Sequence, residues 1–185
     1  MMNGVSPMEL WNEQGIVAYN FSSPASRMNT LYWLLKQALQ HTAPKLVVID
    51  CAFLVDEDDV QSLGSLHMAL DSIPLSFFKV QIVCDLLDNW KDRLELLFPF
   101  SVYHSRWGEL EKNDFFYNYV PGKMGYVLEA GMTSVSLSPV EENLEEEIDN
   151  MSTDYLEKMV SECKNNNIDT IVVGYNPYIK QNRKN

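Results

Sequence analysis

Apolar and polar residues in the first quarter of the chain follow the pattern of one β-α-β unit. Residues 15–21 and 45–51 are two short, mostly apolar runs, and each predicts a strand. Between them, apolar side chains recur at intervals of three and four from Met28 to Leu39, which predicts an amphipathic helix over residues 28–40. Near-continuous apolar strands favour a parallel sheet that helices cover on both faces.

The residues around this helix suit its two ends. Ser23 is a candidate N-cap, and Pro24 fits the first helical turn because its missing N–H would have no partner there. Pro44 prevents the helix from continuing. In a right-handed unit of this kind, residues 20–23 and 50–51 lie together at the carboxyl edge of the sheet, where open α/β folds bind ligands.

A further helix is predicted ahead of the first strand. Ser6 and Glu9 form a capping box around Pro7, and Gly15 provides the C-terminal stop. Alternating folds usually open on a strand, so the order of the elements predicts that a strand has been lost upstream of this helix.

Helical patterns separated by proline fill the middle of the chain. A loosely helical stretch reaches Leu70, and the acidic run at residues 56–59 is interpreted as a solvated helix start, because a calcium loop needs a defined ligand spacing. Pro74 then breaks the chain, and Ser76 caps a long helix that Pro99 ends. The predicted inner face of that helix comprises Phe78, Ile82, Leu86, Trp90, Leu94 and Leu97.

The remainder of the chain contains an insertion, a helix and a strand. From about residue 99 to 140 the periodicity fades into an aromatic-rich insertion, which is longer than most loops of compact domains and is therefore interpreted as functional. Ser152 is predicted to cap a helix, and residues 168–174 are predicted to form the last buried strand. The inner face of this helix is predicted to comprise Tyr155, Leu156, Met159, Val160 and Cys163.

These elements predict one α/β domain over residues 1–185, with three α/β/α layers around a mainly parallel sheet. The net charge of -12 argues against a nucleic-acid partner, because such binding draws on clustered Lys and Arg. No apolar run reaches the ~20 residues of a membrane span, and the first residues lack the pattern of a signal peptide. The chain as written is therefore expected to be soluble.

The sequence predicts neither a metal site nor a cofactor. Cys51, Cys84 and Cys163 are widely separated, which favours reduced core thiols over a disulfide framework or a zinc cluster. The three histidines are also far apart, and the chain has no phosphate-binding loop and no dinucleotide glycine fingerprint.

Two groups of residues are candidates for chemistry. Ser22 and Ser23 stand where a predicted strand enters a helix, so backbone N–H groups there can hold an oxyanion; the alternative is that Ser23 is only a cap. His104, Arg106 and Trp107 can line a pocket, in which arginine offers planar donors to a carboxylate or to sugar hydroxyls. Arg106 can equally pair with an acidic residue, and Trp107 can equally be a core residue.

The tripeptide Gly64-Ser65-Leu66 superficially matches part of a serine nucleophile motif. It lies inside a helical pattern and does not follow a strand, as the nucleophile of that motif must. We therefore interpret this match as accidental.

Five segments of the chain resemble a known family. They read VSPMELW (residues 5–11), GIVAYN (15–20), LYWLLKQAL (31–39), PKLVVID (44–50) and FPFSVYHSRW (98–107). Together they resemble a bacterial branch of the SGNH (GDSL-like) hydrolase superfamily, near the proteins that acylate cell-envelope polymers such as alginate and teichoic acid. The resemblance covers most of the chain, is most specific at residues 103–107, and implies a flavodoxin-like α/β/α fold.

The resemblance also implies which site residues to expect. In that superfamily, a serine after the first strand attacks an ester, a glycine and an asparagine complete the oxyanion hole, and a C-terminal Asp-x-x-His pair activates the serine. Asn20 matches the second block, Ser22 replaces its glycine, and Asp50 with Cys51 replaces the asparagine of the third block. The serine block would fall before Met1 and the Asp-x-x-His pair beyond Asn185, so the fold is expected to be incomplete at both termini.

The resulting hypothesis is an SGNH hydrolase-like domain related to ester hydrolysis or O-acyl transfer on acylated carbohydrate, catalytically incomplete in this chain. Whether the chain is an enzyme stays open, because no catalytic residue is identified in it. One rival is a carbohydrate-binding or scaffold domain that uses the aromatic insertion, and another is an unusual hydrolase that combines Ser22 or Ser23 with His104. The expected partner is an acylated carbohydrate or a small ester, and the resemblance places relatives in the cell envelope. The sequence gives no oligomeric state.

Overall fold

The computed structural model describes residues 5–23, 26–51, 61–104, 108, 124–125 and 150–174. The chain divides into two compact units. The helical unit comprises Met1–Ser26 and Val60–Glu145, and the sheet unit comprises Arg27–Asp59 and Glu146–Asn185. The acidic run at 56–59 and most of the insertion at about 99–140 lie outside the described residues, and the expectation of a single domain stays a prediction.

The described part of the sheet unit contains two helices and two strands. They are α2 (Met28–Leu39), β1 (Leu46–Asp50), α7 (Asn150–Asn165) and β2 (Asp169–Val173). The two strands pair in parallel, with Leu46 beside Asp169 and Asp50 beside Val173. The helix predicted at 28–40 and both of these strands are confirmed. The predicted β-α-β unit is wrong, because β1 pairs with β2 and residues 15–21 form no strand.

One face of the two-stranded sheet carries the core of this unit. Side chains alternate between the two faces of a strand, so Val47, Ile49 and Cys51 share a face. Ile49 and Cys51 are buried in one apolar cluster with Met28 of α2 and Met159 of α7. Half-buried side chains from both helices surround this cluster: Leu31, Tyr32, Leu35, Tyr155 and Leu156.

The opposite face of the sheet is exposed. Leu46 and Val48 of β1, with Ile171 and Val173 of β2, keep between 43% and 49% of their surface accessible. The prediction that 168–174 is a buried strand is therefore correct about the strand and wrong about its burial. The three-layer α/β/α arrangement stays a prediction, because two paired strands are too little sheet to define the layers.

Three local predictions for this unit are wrong. Helix α2 begins at Met28, five residues after Ser23, and its N-cap is Arg27, which makes no side-chain capping hydrogen bond. Helix α7 begins at Asn150, so Ser152 lies inside its first turn and is buried instead of acting as its cap. Val160 lies at the exposed edge of the apolar stripe of α7.

The helical unit begins with α1 (Pro7–Gln14), and its predicted caps are confirmed. Ser6 Oγ accepts a hydrogen bond from the backbone N–H of Glu9 at 3.3 Å. Gly15 ends the helix with a φ of 68°, in the left-handed region that glycine adopts without a steric cost.

Four more helices follow among the residues described in this unit: α3 (Leu63–Leu70), α4 (Phe77–Leu86), α5 (Trp90–Leu97) and α6 (Phe100–Tyr103). The predicted cap at Ser76 is confirmed, since its hydroxyl accepts from the N–H of Lys79. The single long helix predicted from Ser76 to Pro99 is wrong, because Leu87 is extended and Asn89 caps a new helix. Arg93 stabilises the break by donating to the carbonyl oxygens of Leu87 at 2.6 Å and Cys84 at 3.2 Å.

This break changes which side chains are buried. Ile82 of the predicted inner face is fully buried, together with Val83, but Trp90 and Leu94 are exposed. The helical periodicity does not continue through an extended residue, so the apolar positions of α5 do not continue the apolar face of α4. Leu96 takes the buried position in α5.

Residues 15–21, predicted as a strand, have no strand structure. A strand requires a hydrogen-bonded neighbouring strand. Gly15 and Ile16 donate to the last turns of α1, and Asn20 N–H donates to the Met124 carbonyl at 2.9 Å, which does not form a strand ladder among the described residues. Ile16, Val17, Tyr19 and Phe21 are consequently exposed.

Replacing Met159 with Ala tests the core of the sheet unit. Met159 is only 2% exposed and lies between α7 and the sheet, so the cavity should lower the free energy of unfolding by about 2–4 kcal/mol. Met151 in the same helix is 47% exposed, and Met151→Ala should change it by less than about 0.5 kcal/mol. Urea unfolding followed by circular dichroism measures both. Equal effects of the two variants would contradict this core assignment.

Candidate functional site

Ser22 and Ser23, the predicted oxyanion site, present buried hydroxyl groups. Neither Oγ atom has a hydrogen-bond partner in the structure, and the same is true of Ser26 Oγ. A buried polar group without a partner costs about 1–3 kcal/mol. These hydroxyls are therefore unusual in the helical unit, and neither of them is hydrogen-bonded to a histidine.

Asn20, the other oxyanion candidate, is used to hold its own loop. Its side-chain Nδ2 donates to the carbonyl of Val5 at 2.8 Å, and its backbone N–H donates to the carbonyl of Met124 at 2.9 Å. Gly125 has a φ of 80°, and a Cβ atom there would overlap the carbonyl of Asn20. The loop thus requires glycine at this position, and the side-chain donor of Asn20 is directed at protein backbone.

The second predicted site is described only in part. Asp50 is half-buried at the end of β1 in the sheet unit, and His104 follows α6 in the helical unit with an exposed side chain. Arg106 and Trp107 lie outside the described residues. The pocket of His104, Arg106 and Trp107 therefore stays a prediction.

A buried histidine forms the centre of a polar cluster that the sequence reasoning missed. His67 of α3 is 6% exposed, and its Nδ1 lies 3.0 Å from both carboxylate oxygens of Asp71. The available signal was the spacing of His67 and Asp71, since residues at i and i+4 share a helix face. An imidazole held by a carboxylate in this way is the orienting half of a catalytic triad.

The other imidazole nitrogen of His67 faces a second carboxylate. His67 Nε2 lies 3.6 Å from Glu95 Oε1 of α5, beyond hydrogen-bonding distance, and has no hydrogen-bond partner. A general base needs its free nitrogen directed at the proton it removes. In this geometry the nitrogen faces the carboxylate of Glu95, and His67 lies between α3 and α5.

The serines of α3 do not complete a nucleophile–base pair. Ser65 Oγ lies 2.9 Å from Ser62 Oγ, and the N–H of Ser65 donates to the same Ser62 hydroxyl. Ser65 is two positions from His67, and side chains at that spacing point away from each other on a helix. Residues 64–66 lie within α3, as our interpretation of that tripeptide expected.

Lys79 adds a buried cation to the same unit. Its side chain is 3% exposed in α4, and burial lowers the pKa of its ammonium group while the nearby carboxylate of Asp71 acts in the opposite direction. Desolvation is the larger of the two influences. The charged form of Lys79 is therefore less stable here than in water.

The cysteines occupy three different environments. All three are free; Cys51 and Cys163 are buried, as predicted, whereas Cys84 is exposed and is not a core thiol. Burial raises the pKa of the Cys51 thiol, and the neighbouring charge of Asp50 raises it further. Since the thiolate is the nucleophilic form, Cys51 is poorly suited to covalent chemistry.

Two shallow depressions of about 400 Å³ each are lined by other residues than those predicted for a site. One is formed by Tyr32 with polar residues of α7, and the other by Trp90, Leu94 and Phe98 with Lys91 and Glu95. Within the described ranges, no three His, Cys, Asp or Glu side chains are arranged to hold a metal ion. None of the helices described here combines the length and apolar character needed to cross a membrane.

Comparison of the chain with protein-family models, with curated proteins and with solved structures finds no match.

Replacing Lys79 with Met tests the electrostatic cost of the buried cation. Because desolvation outweighs the attraction of Asp71, Lys79→Met should raise the free energy of unfolding at pH 7 by about 1 kcal/mol. The native pKa lies below the ordinary value of 10.5, so the unfolded state binds more protons just below pH 10.5 and wild-type stability rises with pH there.

The difference in the free energy of unfolding between Lys79→Met and the wild type should therefore decrease as the pH approaches 10. Urea unfolding at several pH values measures this difference. Lys91→Met, at an exposed position, removes the same charge and is the control for the loss of one positive charge from the chain. A variant that is less stable than the wild type at pH 7 would mean that the ion pair outweighs desolvation.

Proposed function

We propose that the chain is an SGNH hydrolase-like domain with a three-layer α/β/α fold, related to ester hydrolysis or O-acyl transfer on acylated carbohydrates, and that it does not itself perform acyl transfer. The environment of His67 supports the proposed lack of acyl transfer. Its carboxylate-oriented imidazole faces Glu95 and not a serine hydroxyl. Acyl transfer by this route needs a nucleophile within reach of its base.

The predicted oxyanion residues support the same proposal. The side-chain amide of Asn20 is bonded to the Val5 carbonyl. In the sequence resemblance, Asp50 stands at the position where that superfamily has a neutral asparagine donor. A negative charge there opposes the developing oxyanion, which preorganised donors must stabilise. Ser22 and Ser23 have unpaired hydroxyls, but a serine without a general base is a weak nucleophile.

Reaction with a fluorophosphonate tests this proposal. The purified chain should gain no covalent adduct by intact mass spectrometry, under conditions in which an active serine hydrolase in the same tube is fully labelled. Ser22→Ala and Ser23→Ala should leave this result unchanged, because neither hydroxyl is activated. Stoichiometric labelling that one of these substitutions abolishes would establish the rival hydrolase and overturn the proposal.

The second candidate function is a carbohydrate-binding domain, and the depression on α5 favours it. Trp90 is 64% exposed beside half-exposed Leu94 and Phe98. Lys91 and Glu95 supply a donor and an acceptor next to this apolar surface. An exposed aromatic ring with flanking polar groups is suited to the apolar face and the hydroxyls of a sugar ring.

Titration with acetylated oligosaccharides tests this second function. Binding on α5 should quench tryptophan fluorescence saturably, and Trp90→Ala should weaken it by about tenfold or more. Trp11→Ala is the matched control, since Trp11 is 49% exposed on α1 and outside the depression. If Trp11→Ala abolished the quenching and Trp90→Ala left it unchanged, the depression on α5 would be excluded as the binding site.

A further inference from the structure

His67 leaves one of its two ring nitrogens without a partner. Nδ1 lies 3.0 Å from both carboxylate oxygens of Asp71, and since a carboxylate only accepts, Nδ1 carries the proton of this hydrogen bond. Nε2 is buried, has no hydrogen-bond partner and lies 3.6 Å from Glu95 Oε1. In a neutral imidazole with its proton on Nδ1, Nε2 presents only a lone pair. That lone pair would face the lone pairs of a second carboxylate.

The burial of Nε2 limits what can relieve this repulsion. Because solvent does not reach Nε2, a bridging water molecule does not fit this nitrogen. A metal ion needs several protein ligands, and the described part of the chain brings no three suitable side chains together. A proton needs no additional volume and converts Nε2 into a donor. The ring then donates to a carboxylate on each side.

The charges around the ring favour this proton. Among the described residues, Asp71 and Glu95 are the carboxylates within ion-pair distance of His67. Asp71 also attracts the buried ammonium group of Lys79 on α4, which leaves one negative charge of these three groups unbalanced. A proton on His67 balances it. Burial disfavours a charged ring, but a buried charge that is paired and hydrogen-bonded is the kind that proteins tolerate.

The nearby cations of α5 do not replace this proton. Arg93 donates to the carbonyl oxygens of Leu87 and Cys84. Lys91 lines the surface depression with Glu95, and water and salt screen the attraction between exposed charges. The imidazole ring is only 6% exposed, so its interaction with the two carboxylates is screened less.

We propose that a proton on Nε2 of His67 links helix α3 to helix α5, and that the link is lost as the pH rises and this proton leaves. With the proton bound, the ring bridges Asp71 of its own helix and Glu95 of the neighbouring helix. A proton that the folded chain holds more tightly than the unfolded chain stabilises the fold at low pH, and this stabilisation disappears at high pH. The proposal concerns the stability of the helical unit and does not depend on the proposed function.

A double-mutant cycle at two pH values tests the proposal. The wild type, His67→Gln, Glu95→Gln and the double variant are unfolded with urea at about pH 6 and about pH 8.5, on either side of neutral pH, where histidine titrates. Coupling between the two residues should change the unfolding equilibrium constant by about tenfold at the lower pH and by less than about twofold at the higher pH. The effects of groups that act on only one of the two residues cancel in the cycle.

Glu157→Gln provides the matched control for this cycle. It makes the same substitution at an exposed position of α7, and it should show no coupling to His67 at either pH. Equal coupling of His67 and Glu95 at both pH values, or none at either, would overturn the proposal. A Glu95→Gln variant that is more stable than the wild type at the lower pH would also overturn it, because the new amide would then be donating to a bare Nε2 lone pair.

Imidazole ¹⁵N spectra of the wild-type full chain test the proposal without relying on the stability of a variant. At about pH 6, both ring nitrogens of His67 should carry protons, and the Nε2 proton should exchange slowly because solvent does not reach it. His41 and His104 are exposed, so their ring protons should exchange rapidly. Loss of the slow signal in His67→Gln assigns it. A His67 ring that carries a proton on Nδ1 alone at this pH would overturn the proposal.

Discussion

The packing of α2 and α7 against one face of the β1–β2 ladder is the interaction on which the sheet unit depends. Met28 and Met159 bring the two helices onto Ile49 and Cys51, and this cluster removes the side chains of β1 on that face from water. Hydrophobic burial is the main favourable contribution to folding. Because both helices cover the same side, the other side remains a surface of apolar residues.

The helical unit is organised differently, around buried polar groups. His67 connects α3 to Glu95 of α5, and its second carboxylate partner, Asp71, also influences the buried ammonium group of Lys79 on α4. Removing one member of such a group leaves the others buried without compensation, so these residues constrain one another. A histidine that a carboxylate orients can therefore have a structural role instead of a catalytic one. The group that faces its second nitrogen distinguishes the two roles.

Several local elements follow from short stretches of sequence. The Ser6 cap, the Gly15 stop and the Ser76 cap are each determined by residues within one helical turn of each other, and the structure confirms them. The candidate site was less predictable. The i, i+4 spacing of His67 and Asp71 is visible in the sequence, but Glu95 approaches them from another helix, and no local pattern encodes that approach.

The sequence by itself determined the amphipathic α2, the apolar strands β1 and β2, and the helix ends at Ser6, Gly15 and Ser76, because these depend on neighbours along the chain. Only the tertiary structure decided that the strands pair in parallel register and that one sheet face is left exposed. It also decided that residues 15–21 are not paired as a strand and that the helix breaks at Leu87. Pairing and burial depend on residues distant in sequence, so a pattern of apolar positions can indicate them but cannot determine them.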